Sequence, residues 1–121
     1  MKSLIRQVPP EPWPSGYGEI IAMLKVAPKV LTRRYGLKWF EGTDNLGDYE
    51  AVIVRLASGR RLGLAWHHGD PEPGTEVHAD LHDDVHGAVR ELLHALDLSE
   101  HAVTWMRDAL PAPEPESAHV H

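Results

Sequence analysis

The 121-residue chain has no cysteine, which excludes a disulfide framework, a thiolate nucleophile and a Cys-ligated zinc site, and fits a reducing compartment. It also lacks any apolar run near the roughly 20 residues needed to cross a bilayer. The start, Met1-Lys2-Ser3-Leu4-Ile5-Arg6, meets a charge at position 6 and proline from Pro9, which interrupts the apolar core of a signal peptide. The expectation is a cytoplasmic protein with no membrane association. There is no glycine-rich phosphate loop, no G-x-S-x-G elbow and no serine with an evident base. Basic residues are scarce after Arg61, where only Arg90 and Arg107 remain, and a net charge of −6 opposes direct nucleic-acid binding.

What the chain does have is a split by charge. Ten of the 12 Lys and Arg residues lie at or before Arg61, while all nine histidines and 12 of the 18 acidic residues follow it. With histidines neutral, the first 61 residues carry +4 and the remainder −10. Such polarity steers encounters and selects partners without dictating a fold.

The length suits a single domain. Prolines cluster at the two ends, which suggests a proline-rich N-terminal arm over residues 1–15, a packed domain over 16–110, and a disordered, acidic, proline-rich tail over 111–121. Trp13 in the arm is expected to pack on the domain edge. Residues 19–26 fit a strand or a helix equally well. Pro28 can open a short helix that Gly36 ends, and Leu37 to Phe40 reads as a strand.

The clearest local element is a hairpin from Ala51 to Trp66. Apolar residues occupy even positions on both arms, Val52, Val54 and Leu56, then Leu62, Leu64 and Trp66. Paired residues share a face, so the turn must hold three residues, Ala57-Ser58-Gly59, which sets Val54 against Leu62 with Gly59 at positive φ. Thr75 to Asp80 reads as a further strand with Val77 and Ala79 on one face. From about Asp83 to Leu96, Val85, Ala88, Val89, Leu92, Leu93 and Leu96 form an apolar helical stripe, with Asp80 or Asp83 as its cap. Ser99 suggests the N-cap of a second helix bearing Val103, Met106 and Leu110. The expected fold is therefore α+β: a small antiparallel sheet around the central β-hairpin, packed by two C-terminal helices.

Chemistry is concentrated between His67 and Val89, with five histidines, six carboxylates and no Lys or Arg. His78, Asp80 and His82 share a face if that stretch is a strand, whereas His82 and His86 stand one turn apart if it is a helix. The second arrangement looks like a distorted version of the zinc-protease helix motif, with Asp83 at the place of the water-activating Glu. On the other side, His82, His86, Arg90 and His94 recur every four residues opposite the apolar stripe, as a solvated helix face does. The glycine- and acid-rich stretch 42–48 has the residue types of a calcium loop without its ligand spacing.

Charge and size point to a non-enzymatic, acidic, histidine-rich protein-binding module. The expectation is an inhibitor of antitoxin or immunity type that meets a basic partner protein through Asp70, Glu72, Glu76, Asp80, Asp83 and Asp84, with no cofactor. The alternative is a small zinc-dependent hydrolase drawing ligands from His67, His68, His78, Asp80, His82 and His86. A third reading is a self-associating homo-oligomer, in which the basic half of one copy meets the acidic half of the next.

Overall fold

A computed structural model describes residues 5–9, 19–44, 47–69, 74–79 and 84–107. Alternation builds its centre. Strand β4 (Gly47–Leu56) pairs antiparallel with β5 (Arg61–His67), with Val54 opposite Leu62 and Val52 opposite Leu64. This is the register that parity requires. Gly59 sits at φ 94°, a conformation costly for a residue with a Cβ. The Leu56 N–H donates to the Arg60 carbonyl at 2.8 Å, and the Gly59 N–H to the Leu56 carbonyl at 2.8 Å. The tip is fastened to helix α2 (Val85–Ala95) through Glu91, whose carboxylate accepts from the Ser58 hydroxyl at 2.8 Å, the Ser58 N–H at 3.1 Å and the Arg60 guanidinium at 3.0 Å.

Around this hairpin stands a seven-stranded antiparallel sheet in the order β1-β4-β5-β6-β2-β7, with β3 also on β4. Strands β1 (Ile5–Val8) and β3 (Phe40–Asp44) share one edge of β4, β1 along residues 53–56 and β3 along 47–51. Gln7 bridges them by bonding both the N–H and the carbonyl of Lys38. Strand β6 (Thr75–Ala79) lies between β5 and β2 (Glu19–Leu24), and β7 (Val103–Met106) closes the far side. A register shift between Ile20 and Ala22 lets the consecutive Ile21 and Ala22 both be buried.

One sheet face carries the main core. Val52, Val54, Leu62, Leu64, Val77, Ile21 and Leu24 belong to it, together with Val85, Ala88, Val89, Leu92 and Leu96 from the α2 segment and Leu31 from α1 (Pro28–Tyr35). Each such side chain, taken out of water, contributes about 1.5–3 kcal/mol before entropy is set against it. Helix α1 starts on Pro28 and ends at Gly36, φ 67°. Its Thr32 hydroxyl receives the Trp39 indole N–H.

The fold is thus α+β, with a mostly antiparallel sheet and two helices, and it departs from expectation in several places. Residues 19–24, which by sequence fit a strand or a helix equally well, are strand and so are not among them. The strand expected from Leu37 begins only at Phe40, because Leu37 is drawn into the core ahead of it. The second C-terminal helix does not form. The Ser99 side chain caps a single 3₁₀ turn, Glu100–Ala102, and the chain then extends as β7. Val103 and Thr104 are β-branched, and the edge of β2 offers the segment an antiparallel ladder with one register shift between Met23 and Leu24, which outweighs an i, i+3 apolar spacing. The Lys25 N–H to Ala102 carbonyl and Arg107 N–H to Ile21 carbonyl bonds, both 2.8 Å, extend that ladder.

Helix α2 starts at Val85 with Asp84 in the N-cap position, where its side chain makes no capping bond. Asp80 and Asp83, the expected caps, lie outside the described residues, as do Trp13 and the 111–121 tail. The sheet also reaches back before position 16, since Ile5 pairs with Leu56 and is buried.

Candidate functional site

Odd positions of β4 and β5 and even positions of β6 point to the second sheet face, away from the main core. Ala51, Ile53 and Ala65 form a small apolar cluster there, with Val8, Phe40 and Tyr49 against it. Beside it lies a polar network. Glu76 is paired with Ala65 and His78 with Gly63, so small β5 residues stand opposite the two large polar ones. Glu76 accepts from His67 Nδ1 through one carboxylate oxygen at 2.8 Å and from His78 Nε2 through the other at 3.0 Å. The three residues are only 7–9% exposed. The Tyr49 ring lies 5.7 Å from the His67 ring.

Burial pushes the Glu76 carboxyl up, but the hydrogen bonds from His78 and His67 and their charge outweigh it, and its pKa falls below the ordinary carboxylate value. An ionised carboxylate can only accept, so each contacting imidazole nitrogen carries a hydrogen. Glu76 thereby fixes the orientation of both rings. Such an arrangement can hold imidazoles for proton transfer or ligation, or it can serve as a buried polar tie between β5 and β6.

Of the four suggested metal ligands among the described residues, His67 and His78 come together. His68 turns away, with Nε2 2.9 Å from Glu50 and its ring 4.7 Å from Trp66. His86, like Arg90 and His94, is exposed on α2, as a solvated helix face. Asp80 and His82 lie outside the described residues. Among the described residues no group of three or more His, Asp or Glu side chains is arranged to hold a metal ion.

The suggested partner-binding carboxylates are also redistributed. Glu76 is buried and engaged with two histidines, which removes it from a contact surface. Asp84 is exposed. Asp70, Glu72, Asp80 and Asp83 lie outside the described residues. The stretches that contain them attach to opposite ends of β6, so their attachment points are separated by a five-residue strand, about 14 Å.

Sequence reasoning missed a different acidic group. Glu41 on β3 stands directly opposite Glu50 on β4. Asp48 accepts from the Thr43 hydroxyl at 2.8 Å. Glu41, Gly42, Thr43, Asp48, Tyr49 and His68 line a cleft of about 230 Å³. The Tyr49 ring crosses Gly42 so closely that a Cβ there would collide with it. The signal was present: Glu41 and Glu50 are symmetric about Asn45-Leu46, as opposed residues of a two-residue hairpin must be.

No known family model matches the chain, and no curated protein or solved structure matches it either.

Proposed function

We propose that the chain is a small acidic protein-binding module, acting in the cytoplasm, that docks on a basic partner protein in the manner of an antitoxin or immunity-type inhibitor. The observation that carries this reading is the acidic end of the sheet. Glu41 and Glu50 oppose each other directly, Asp48 lies beside them, and among the described residues no Lys or Arg lines the cleft. Opposed like charges destabilise a strand pair, so a cationic partner would relieve a cost that the free fold bears. The stretch bearing Asp70 and Glu72 follows this end directly, after His68 and Gly69.

The test begins with the untagged chain purified from its native host and the protein that accompanies it. Association of the recombinant pair should slow as salt rises, because exposed charges act through a field screened within about 8 Å at physiological ionic strength. Charge reversal at Glu41, Glu50 and Asp70 should slow it about tenfold or more at low salt. A partner that binds the triple reversal as fast as the parent chain overturns the reading.

A second reading is favoured by the His67–Glu76–His78 network. Histidines that ligate zinc usually donate their other ring N–H to a carboxylate, and Glu76 serves both rings in that way. A zinc-dependent hydrolase would then use His67 and His78. It predicts about one equivalent of zinc bound, a raised melting temperature, and loss of both effects in His67→Ala with His78→Ala. Failure of zinc to stabilise the parent chain removes it.

A further inference from the structure

The opposite end of the same sheet carries a row of arginines. Arg6 is paired with Arg55, and Arg55 with Arg61, across the adjacent strands β1, β4 and β5. Directly paired residues share a face, and neighbouring strands lie about 4.8 Å apart, so three guanidinium stems rise within about 10 Å on the second sheet face.

Two arginines elsewhere meet carboxylates, whereas Arg33, Arg34 and Arg90 stand singly on exposed helix positions. Arg60 holds Glu91 at 3.0 Å and Arg107 lies 3.7 Å from Glu19. Arg61 has an interaction of its own. Arg6 and Arg55 are exposed, and among the described residues neither meets a carboxylate. They also line a groove of about 730 Å³ that passes Ile5, Tyr35, Leu37 and the turn at Gly59. Arg6 and Arg55, directly opposed, repel, and a net acidic chain retains them at a cost that an anionic ligand would reverse.

We infer that this arginine row is a docking site for the acidic end of a second copy of the chain, the end that carries Glu41, Asp48 and Glu50. Charge complementarity carries the choice of occupant. Strand β4 has Asp48 and Glu50 near its start and Arg55 near its finish, so one sheet presents a negative end and a positive end. A contact between unlike ends is heterologous, and it propagates into rings or open chains. Nucleic acid is the other polyanion that could occupy such a row, but the chain's net charge of −6 works against it. This contact and the heteromeric one above share the acidic end and would compete for it, but the arginine row plays no part in the heteromeric contact, so the Arg6 and Arg55 changes test this inference alone.

Sedimentation velocity at about 20 mM salt, over a concentration series, tests it. The parent chain should form species larger than a monomer that dissociate as salt rises. Arg6→Gln with Arg55→Gln should remain monomeric, and so should Glu41→Gln with Glu50→Gln, with circular dichroism confirming that each variant is folded. Mixed together, the two variants should give a one-to-one dimer that grows no further, since one retains only the acidic end and the other only the arginine end. A parent chain that is monomeric throughout, oligomers that persist in the Arg6 and Arg55 variant, or a mixture that stays monomeric would each overturn the inference. So would a labelled DNA or RNA duplex that binds the parent chain in the same buffer and is released by the Arg6 and Arg55 changes, because the row's ligand would then be nucleic acid. Should either variant fail to fold, Arg55→Gln and Glu50→Gln in the same mixing scheme should each weaken parent association about tenfold, and an unchanged association would overturn the inference equally.

Discussion

At the scale of single residues, the buried Glu76 is the group whose chemistry is most constrained. Its two oxygens serve two imidazole N–H groups, and its folded pKa is depressed. A depressed carboxyl contributes stability that is present above its unfolded pKa, about 4.3, and is lost as pH falls through the lower folded value. Glu76→Gln keeps the shape but turns an amide toward one of the two ring N–H donors. At pH 7 it should lower unfolding free energy by about 1–3 kcal/mol, the usual cost of a buried donor left unsatisfied. The gap between variant and parent should narrow once pH drops below the unfolded value, about 4.3, where the unfolded parent takes up a proton that the folded parent does not yet bind. Urea unfolding at pH 7 and pH 3 measures both numbers. An undiminished gap at pH 3 would mean that the substitution acts through packing rather than charge.

At the scale of elements, the β4–β5 hairpin separates face from position. Val54 is fully buried and Arg55 exposed on adjacent residues. Val54→Asp buries an unpaired charge and should abolish cooperative unfolding or cost more than about 3 kcal/mol. Arg55→Asp should be neutral or slightly stabilising, since it places a carboxylate between Arg6 and Arg61. Thermal melts of both variants decide it, and comparable losses would contradict the register. The tip offers a companion test: Glu91→Ala removes the acceptor shared by Ser58 and Arg60 and should cost about 1–2 kcal/mol.

This hairpin, α1 and α2 were legible in the sequence because period, parity and a glycine stop act within a few residues. Strand β7 was not, since Val103 and Met106 satisfy helical spacing, and only the unpaired edge of β2, about 80 residues away in sequence, decides for strand. The site was half legible for the same reason. His67 and His78 were candidates from composition, but Glu76 had been placed on a contact surface, because nothing local shows that β5 supplies Gly63 and Ala65 to make room for it.

At the scale of the whole molecule, the buried side chains among the described residues fall between Ile5 and Leu96, with Val103 and Met106 packed against them from β7. Residues 111–121 hold three prolines, two glutamates and two histidines, with only Ala112, Ala118 and Val120 as apolar material. By composition the segment offers little apolar surface against the entropy of ordering it. Deleting 111–121 should therefore move the melting temperature by less than about 3 °C, given that 1 kcal/mol corresponds to about 4–8 °C in a domain of this size. The same deletion removes Glu114 and Glu116, two negative charges that would help to steer the proposed cationic partner, while leaving Glu41, Asp48 and Glu50 in place. Its effect on binding should then appear as a modest fall in association rate that vanishes in high salt, with the dissociation rate unchanged. A drop in melting temperature well beyond 3 °C would assign the tail to the folded body, and a faster dissociation would assign it to the contact itself.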